Sequence, residues 1–212
     1  SLLPSPQRYH GVGGRAPAVP AWVATPPNAS STVRFFDSSP FSPSGLFLAL
    51  TRFAPGAEGA PMRFGDAPSA VVLVELATGA ETRVATTRGA DSQLGAQVQW
   101  GRSDAELYFN DVAVSDAGRA RAVGVRLELS LEAAGGAPPR IARRDELECT
   151  VYSLAPRGAR LALSPCLKRM RRTQLGYGVH VPDADVPANA DAPTDDGLCV
   201  CSRPLSDSRE PS

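Results

Sequence analysis

The sequence predicts an all-β protein built from repeated four-stranded antiparallel units. Short apolar runs of strand length alternate with turn residues, and 20 Pro and 19 Gly are scattered between these runs. Three segments also align without gaps: FSPSGLFLAL from Phe41, WGRSDAELYF from Trp100 and LAPRGARLAL from Leu154. In each, an apolar residue, a short turn and an apolar run follow one another, which indicates a hairpin that recurs along the chain.

The apolar runs group into sets of four. In the first set, the turn Ala77–Gly79 joins the last two runs, as expected for a hairpin. The predicted strands of this set are Val33–Phe36, Leu46–Phe53, Ala70–Leu76 and Glu81–Thr86. The second set contains Gln97–Trp100, Arg102–Asp111, Ala122–Leu129 and Pro139–Arg144. A third set contains Thr150–Leu154, Ala159–Ser164 and Gly197–Ser202.

Repeated units of four antiparallel strands are typical of a β-propeller. We therefore predict an incomplete β-propeller over residues 32–202, with four-stranded meander blades at about 32–88, 96–145 and 149–202. A Pro/Ala/Gly-rich leader, disordered or extended, is expected over 1–31, and a polar tail over 203–212. About two and a half blades do not close a ring of the usual roughly four to eight, so we expect either a fragment or self-association through open sheet edges.

The repeat resembles a known family. FSPSGLFLAL is similar to the turn-and-strand core of TolB-type, WD-like propeller repeats, and VVLVELATGAETRV, starting at Val71, to the strands that follow it there. Together with QVQW and LYFND, it looks most like the oligogalacturonate-lyase-like group. That resemblance implies a carbohydrate-active enzyme whose divalent metal is held by a His-rich set and a Gln. Only His10 and His180 are present, so lyase activity does not carry over.

A candidate site follows from the meander. Loops that join the second to the third strand, or one unit to the next, share one face, and long loops on a rigid scaffold often carry function. On this loop-rich face we expect Gln, Asn, Asp and Arg side chains to bind a polyhydroxy or acidic ligand, or to satisfy loop backbone groups instead. The candidate ligand-binding residues are Gln93, Gln97, Asn110, Asp111, Arg171, Arg172, Gln174, Tyr177 and His180.

Three further clusters each leave two interpretations. The basic run Lys168–Arg172 suits an anion, or is a solvated charge run in a loop. The acidic stretch Asp183–Asp196 suits a hard cation, or is a flexible Pro-rich loop. Cys199 and Cys201 share one strand face and are expected to be small buried fillers, with zinc ligation alongside Cys149 and Cys166 as the alternative.

Composition narrows the function classes. The formal net charge is zero, which argues against nucleic acid as a partner, and no apolar run reaches the roughly 20 residues of a membrane helix. We expect a non-catalytic binding module that presents its loop-rich face to an acidic oligosaccharide or a protein. The alternative is part of a lyase-like enzyme acting on acidic oligosaccharides. No cofactor is evident, and a divalent metal is expected only under that alternative; the sequence leaves the compartment open.

Overall fold

The protein is all-β, with antiparallel sheets and little helix. The computed structural model describes residues 7–8, 21–56, 63, 65–131, 137–155, 161–191 and 193–202. A short pair lies within the predicted leader, where β1 (Gln7–Arg8) runs antiparallel to β2 (Trp22–Val23). Three larger sheets follow in chain order, and each is a simple meander.

The first sheet contains β3 (Ser31–Thr32), β4 (Phe47–Arg52), β5 (Ser69–Glu75) and β6 (Glu81–Thr87). Three of its strands agree with the sequence prediction to within a residue or so. The predicted position of the first strand, Val33–Phe36, is wrong. The strand is Ser31–Thr32, because Ser31 pairs with Arg52 and Thr32 with Thr51, and the ladder then ends. After these residues the chain leaves the sheet edge and returns only at Phe41, which bridges Leu48.

The second sheet contains β7 (Gln99–Trp100), β8 (Glu106–Val114), β9 (Ala120–Ser130) and β10 (Arg140–Leu147). The third contains β11 (Ser153–Leu154), β12 (Leu161–Pro165) and β13 (Leu198–Ser202). The predicted strand order is confirmed in both sheets.

The second sheet lies between the other two, and each interface is a separate apolar core. One face of the first sheet, through Val71 and Leu73, packs against Leu107, Phe109 and Val125 of the second. The other face of the second sheet contributes Tyr108 to a smaller core that contains Ala162 and Cys201 of the third sheet. The alternation of Leu107, Tyr108 and Phe109 therefore serves two neighbours, because successive side chains on a strand point to opposite faces.

The segment between β12 and β13 differs from the predicted loop. It contains the helix α1 (Leu167–Thr173) and a 3₁₀ turn at Asp183–Asp185. Leu167 is fully buried, so the start of the helix packs against the body of the protein. The carbonyl of Leu167 accepts the main-chain N–H of Val179 at 3.2 Å, which holds the segment after the helix beside it.

The prediction for Cys199, as a small buried filler or a zinc ligand, is wrong. A disulfide joins Cys149 to Cys199, with the Cα atoms 6.3 Å apart, and therefore ties β13 to the start of the third sheet. Cys201 is a buried free thiol, as predicted, and burial is the largest cause that raises its pKa above the ordinary value. Cys166 is free and half-buried.

Candidate functional site

The loop between the first and second sheets is held firmly on both sides. The hydroxyl of Thr51 accepts the main-chain N–H of Ala96 at 2.9 Å. The hydroxyl of Thr87 donates to the carbonyl of Asn110 at 2.5 Å. Within the loop, the N–H of Asp91 donates to the carbonyl of Gly95 at 3.0 Å. These bonds fix the backbone that carries Gln93 and Asp91.

The basic run Lys168–Arg172 organises the long segment of the third sheet. Arg169 is buried and donates to the carboxylate of Asp195 at 2.8 Å and to the carbonyl of Ala188 at 3.1 Å. Lys168 donates to the carbonyl of Asp185 at 2.9 Å. The run thus lies in a helix, and Lys168 and Arg169 bind the acidic stretch that follows it, rather than extending from a solvated loop.

The acidic stretch is paired with protein groups in turn. The hydrogen bond from the main-chain N–H of Ala120, 2.9 Å long, is the largest cause that lowers the pKa of Asp185 below its usual value. Asp185 also forms an ion pair with Arg119. The hydrogen bond from Arg169 likewise lowers the pKa of Asp195. Among the residues that the structure describes, no group of three or more His, Cys, Asp or Glu is placed to hold a metal ion.

A buried ion pair joins the loop between the first and second sheets to helix α1 of the third sheet. The carboxylate of Asp91, fully buried, pairs with the guanidinium of Arg171, which is also buried. Nearby, the main-chain N–H of Gln93 donates to the carbonyl of Gly176 at 3.0 Å. The two loops that the sequence places on one face therefore meet, although they are far apart along the chain.

The half-buried His180 belongs to the same junction. Burial is the largest cause that lowers its pKa below the ordinary value, and the positive charge of Arg171 lowers it further. The carboxylates of Asp91 and Asp183 oppose this shift. His180 is therefore held toward its neutral form.

Three aromatic rings lie beside this junction, and we call Phe35, Phe36 and Tyr177 the aromatic patch. The ring centroids of Phe35 and Phe36 are 4.5 Å apart, and those of Phe35 and Tyr177 are 6.5 Å apart. Phe36 is 90% exposed. Gln93 and Gln174 are exposed residues of the same junction. The side chain of Gln93 packs against Gly176, and the main-chain carbonyl of Gln174 accepts the N–H of Tyr177 at 3.2 Å.

The other predicted residues lie elsewhere or have internal partners. Asn110 and Gln97 are fully buried. The carboxylate of Asp111 accepts the main-chain N–H of Arg88 at 2.9 Å and a guanidinium N–H of Arg144 at 2.8 Å. Arg172 is exposed at the helix end and donates to the carbonyl of Pro187 at 3.0 Å. Five of the nine predicted residues belong to this junction: Gln93, Arg171, Gln174, Tyr177 and His180. Of these, Tyr177 is part of the aromatic patch.

A cavity of about 890 Å³ lies between the three sheets. Its lining residues lie within the stretches that precede the second strand of each sheet, which we call the inner segments: residues 34–43, 99–102 and 152–155. Hydrogen bonds join these segments, from the indole of Trp100 to the carbonyl of Pro40 at 2.9 Å and from the amide of Gln99 to the carbonyl of Tyr152 at 3.3 Å. Sequence reasoning missed this cavity; the signal available was Arg34, a charge within an apolar run.

Comparisons with protein-family models, with curated proteins and with solved structures find no match to this chain. Within the described ranges, the chain contains no helix long and apolar enough to span a membrane. The site must therefore be interpreted from its own geometry.

Proposed function

We propose that the protein is a non-catalytic binding module of β-propeller type that presents its loop-rich face to a glycan. The propeller arrangement is supported by three meanders stacked in chain order, with the inner segments of all three bordering one cavity. In a propeller, the first strand of every blade lies nearest the central axis. A two-layer sandwich contains only two packed sheets, so it has no middle sheet that packs against a neighbour on each face.

The aromatic patch is the observation that favours a glycan as the ligand. A pyranose ring offers a face of C–H groups and a rim of hydroxyls, so it needs an apolar platform with amide donors and acceptors around it. Phe36 and Phe35 supply the platform, and Gln93 and Gln174 supply the amides. Exposure of a Phe side chain forfeits roughly 1.5–3 kcal/mol of burial, and a cluster of exposed apolar side chains marks an interaction surface.

An acidic sugar is the favoured class. Arg172 lies two residues before Gln174 in sequence, is exposed and has used one guanidinium N–H on Pro187. Its remaining donors are suited to a carboxylate. A protein partner remains the alternative occupant of the same patch. The glycan is preferred because the exposed residues Gln93 and Gln174 belong to the hydrogen-bonded loops that carry Tyr177, whose ring packs against Phe35.

The test is titration calorimetry with oligogalacturonides and with neutral galacto-oligosaccharides. We expect the acidic series to bind. Phe36→Ala should weaken binding of oligogalacturonides at least tenfold, equivalent to about 1.4 kcal/mol. Arg172→Ala should reduce the preference for the acidic over the neutral series. Trp22→Ala, which removes another exposed aromatic ring, is the matched control and should leave binding unchanged.

Two outcomes would contradict the proposal. Absence of binding by either series would remove the glycan and leave the protein partner as the occupant of the patch. Release of an unsaturated product from the oligogalacturonide, detected by ultraviolet absorbance, would favour the enzyme alternative over a non-catalytic module.

A further inference from the structure

The cavity between the inner segments holds a buried cation that is incompletely paired. Arg34 is only 6% exposed. One guanidinium N–H donates to the carboxylate of Asp37 at 3.0 Å, and the guanidinium carbon lies 5.0 Å from the ring centroid of Tyr152. The Nε–H of Arg34 is buried and has no hydrogen-bond partner in the part of the chain that the structure describes.

A second donor in the same cavity is also unpaired. The hydroxyl of Ser38 is buried, and the described residues provide it with no partner. A buried polar group without a hydrogen bond costs roughly 1–3 kcal/mol. Two such donors belong to residues that line one cavity, which favours an acceptor bound in that cavity. Both residues line the cavity, whereas Phe35 and Phe36 of the aromatic patch do not.

The charges and walls of the cavity define the acceptor. Its charged lining consists of Arg34, Arg102 and Asp37, which together carry one net positive charge. One net positive charge matches a monoanion better than a doubly charged phosphate. The flat edge of a guanidinium fits a planar carboxylate. Trp100 and Phe41 provide ring surfaces on the wall, and the volume is within the roughly 300–1,000 Å³ of small-molecule sites.

We propose that this cavity binds a small ring-bearing monocarboxylate, whose carboxylate accepts hydrogen bonds from the Nε–H of Arg34 and the hydroxyl of Ser38. The ring of the ligand packs against Trp100 and Phe41. This site is separate from the aromatic patch and does not depend on the glycan proposal. The ring is either aromatic or a sugar, and the two sources share the carboxylate that the cavity recognises.

The experiment uses the full chain and two matched probe pairs: benzoate with benzamide, and D-galacturonate with D-galactose. Binding is measured by calorimetry and by the NMR shift of the indole N–H of Trp100. We expect at least one carboxylate to bind and its neutral partner to bind at least tenfold more weakly. Benzoate binding alone identifies an aromatic carboxylate, and galacturonate binding alone identifies a uronate.

Variants separate recognition from folding. Arg34→Lys keeps the positive charge but removes the Nε–H, and we expect it to weaken carboxylate binding at least tenfold. Ser38→Ala removes a buried unpaired hydroxyl, so it should weaken binding several-fold while the melting temperature stays level or rises. Trp22→Ala, which removes an exposed ring that does not line the cavity, should leave binding of these probes unchanged.

Three results would overturn the proposal. The first is that neither carboxylate binds. The second is that the neutral partners bind equally well. The third is that Ser38→Ala, with a circular dichroism spectrum like that of the parent, binds the carboxylate as tightly as the parent does.

Discussion

Asn110 joins two sheets through a single side-chain amide. It lies on β8 and is fully buried, and its Nδ2 donates to the carbonyl of Val151 at 2.9 Å. Its Oδ1 accepts the N–H of the same Val151 at 2.7 Å. The amide thus makes the two hydrogen bonds to the main chain of Val151 that a neighbouring strand would make. Val151 lies two residues before the start of β11. Both atoms of the amide are used, so the side chain acts as a clip between the second and third sheets.

Removal of this clip should destabilise the fold. Asn110→Ala leaves both main-chain groups of Val151 buried without partners, so the free energy of unfolding should fall by about 2–4 kcal/mol. Asn110→Asp should also destabilise, because an ionised carboxylate cannot donate to a carbonyl. Urea unfolding measures both. Asn189→Ala, at an exposed position, is the control and should change stability by less than about 0.5 kcal/mol. A similarly small effect of Asn110→Ala would show that the clip is dispensable.

At the scale of single residues, local sequence patterns did not reveal the partners of Asn110 and Asp111. Both are predicted at the end of a strand as ligand-binding residues, whereas they lie within β8 and their side chains bond to other parts of the protein. Their partners Val151 and Arg144 are distant in sequence, and periodicity and turn signals describe only local neighbours. Arg34 was missed for the same reason: its burial depends on a cavity formed by three separate segments.

Among the elements, α1 shows why a charged helix is hard to recognise from sequence. A surface helix normally presents an apolar stripe, but here two arginines are buried because carboxylates elsewhere in the chain neutralise them. Arg169 meets Asp195, and Arg171 meets Asp91. The pattern Leu-Lys-Arg-Met-Arg-Arg therefore looks like a solvated run, although its arginines form interior contacts. The predicted strands, by contrast, are mostly recovered, because alternation of apolar residues is a local signal.

The junction between the two loops should respond to pH through His180. Its pKa is lowered mainly by burial and also by Arg171, against the opposing effects of Asp91, Asp183 and Asp66. Because the folded pKa is lower than the unfolded value of about 6.5, the unfolded chain binds the proton first as pH falls. Stability is therefore constant above about pH 6.5, falls below it, and levels off once the pH is below the folded pKa.

The measurement is hydrogen exchange at the amide of Gln93, which bonds Gly176 across the junction, together with melting temperatures between about pH 8 and pH 5.5. We expect protection of this amide and the melting temperature to decline together in that range. His180→Gln should flatten the decline. His10→Gln, the other histidine of the sequence, should leave it as in the parent, and the opposite pattern between the two variants would show that the junction does not titrate.

At the scale of the whole molecule, two of the three aligned turns that predict the repeat are in direct contact. The turn of the first sheet contacts the equivalent turn of the second, where the carboxylate of Asp104 accepts the N–H of Ser44 at 2.9 Å and the hydroxyl of Ser42 at 3.0 Å. The sequence therefore predicted the strand order and the stacking of successive meanders. It did not predict the disulfide to Cys199, since spacing does not determine cysteine pairing.

The third sheet ends in β13, an edge strand with exposed apolar side chains. β13 pairs only with β12 within the described residues, and its sequence LCVCS carries no charge. Leu198 and Val200 are 67% and 58% exposed, and they share a sheet face with Leu161, also exposed. Sheet edges that avoid aggregation usually carry Lys or Pro or are covered. In the part of the chain that the structure describes, β13 combines an edge that no other strand covers with an apolar face.

We therefore expect two copies of the chain to associate by antiparallel pairing of β13 with β13 around a two-fold axis. Such pairing satisfies the edge backbone groups and shields Val200 of both copies at once. Light scattering coupled to size exclusion should give a mass that rises from monomer to dimer with concentration. Val200→Lys should hold the protein monomeric, because a charge on the edge opposes pairing. Val114→Lys, at a valine of similar exposure at the end of β8, should not. A parent protein that stays monomeric at every concentration would rule out this mode of assembly.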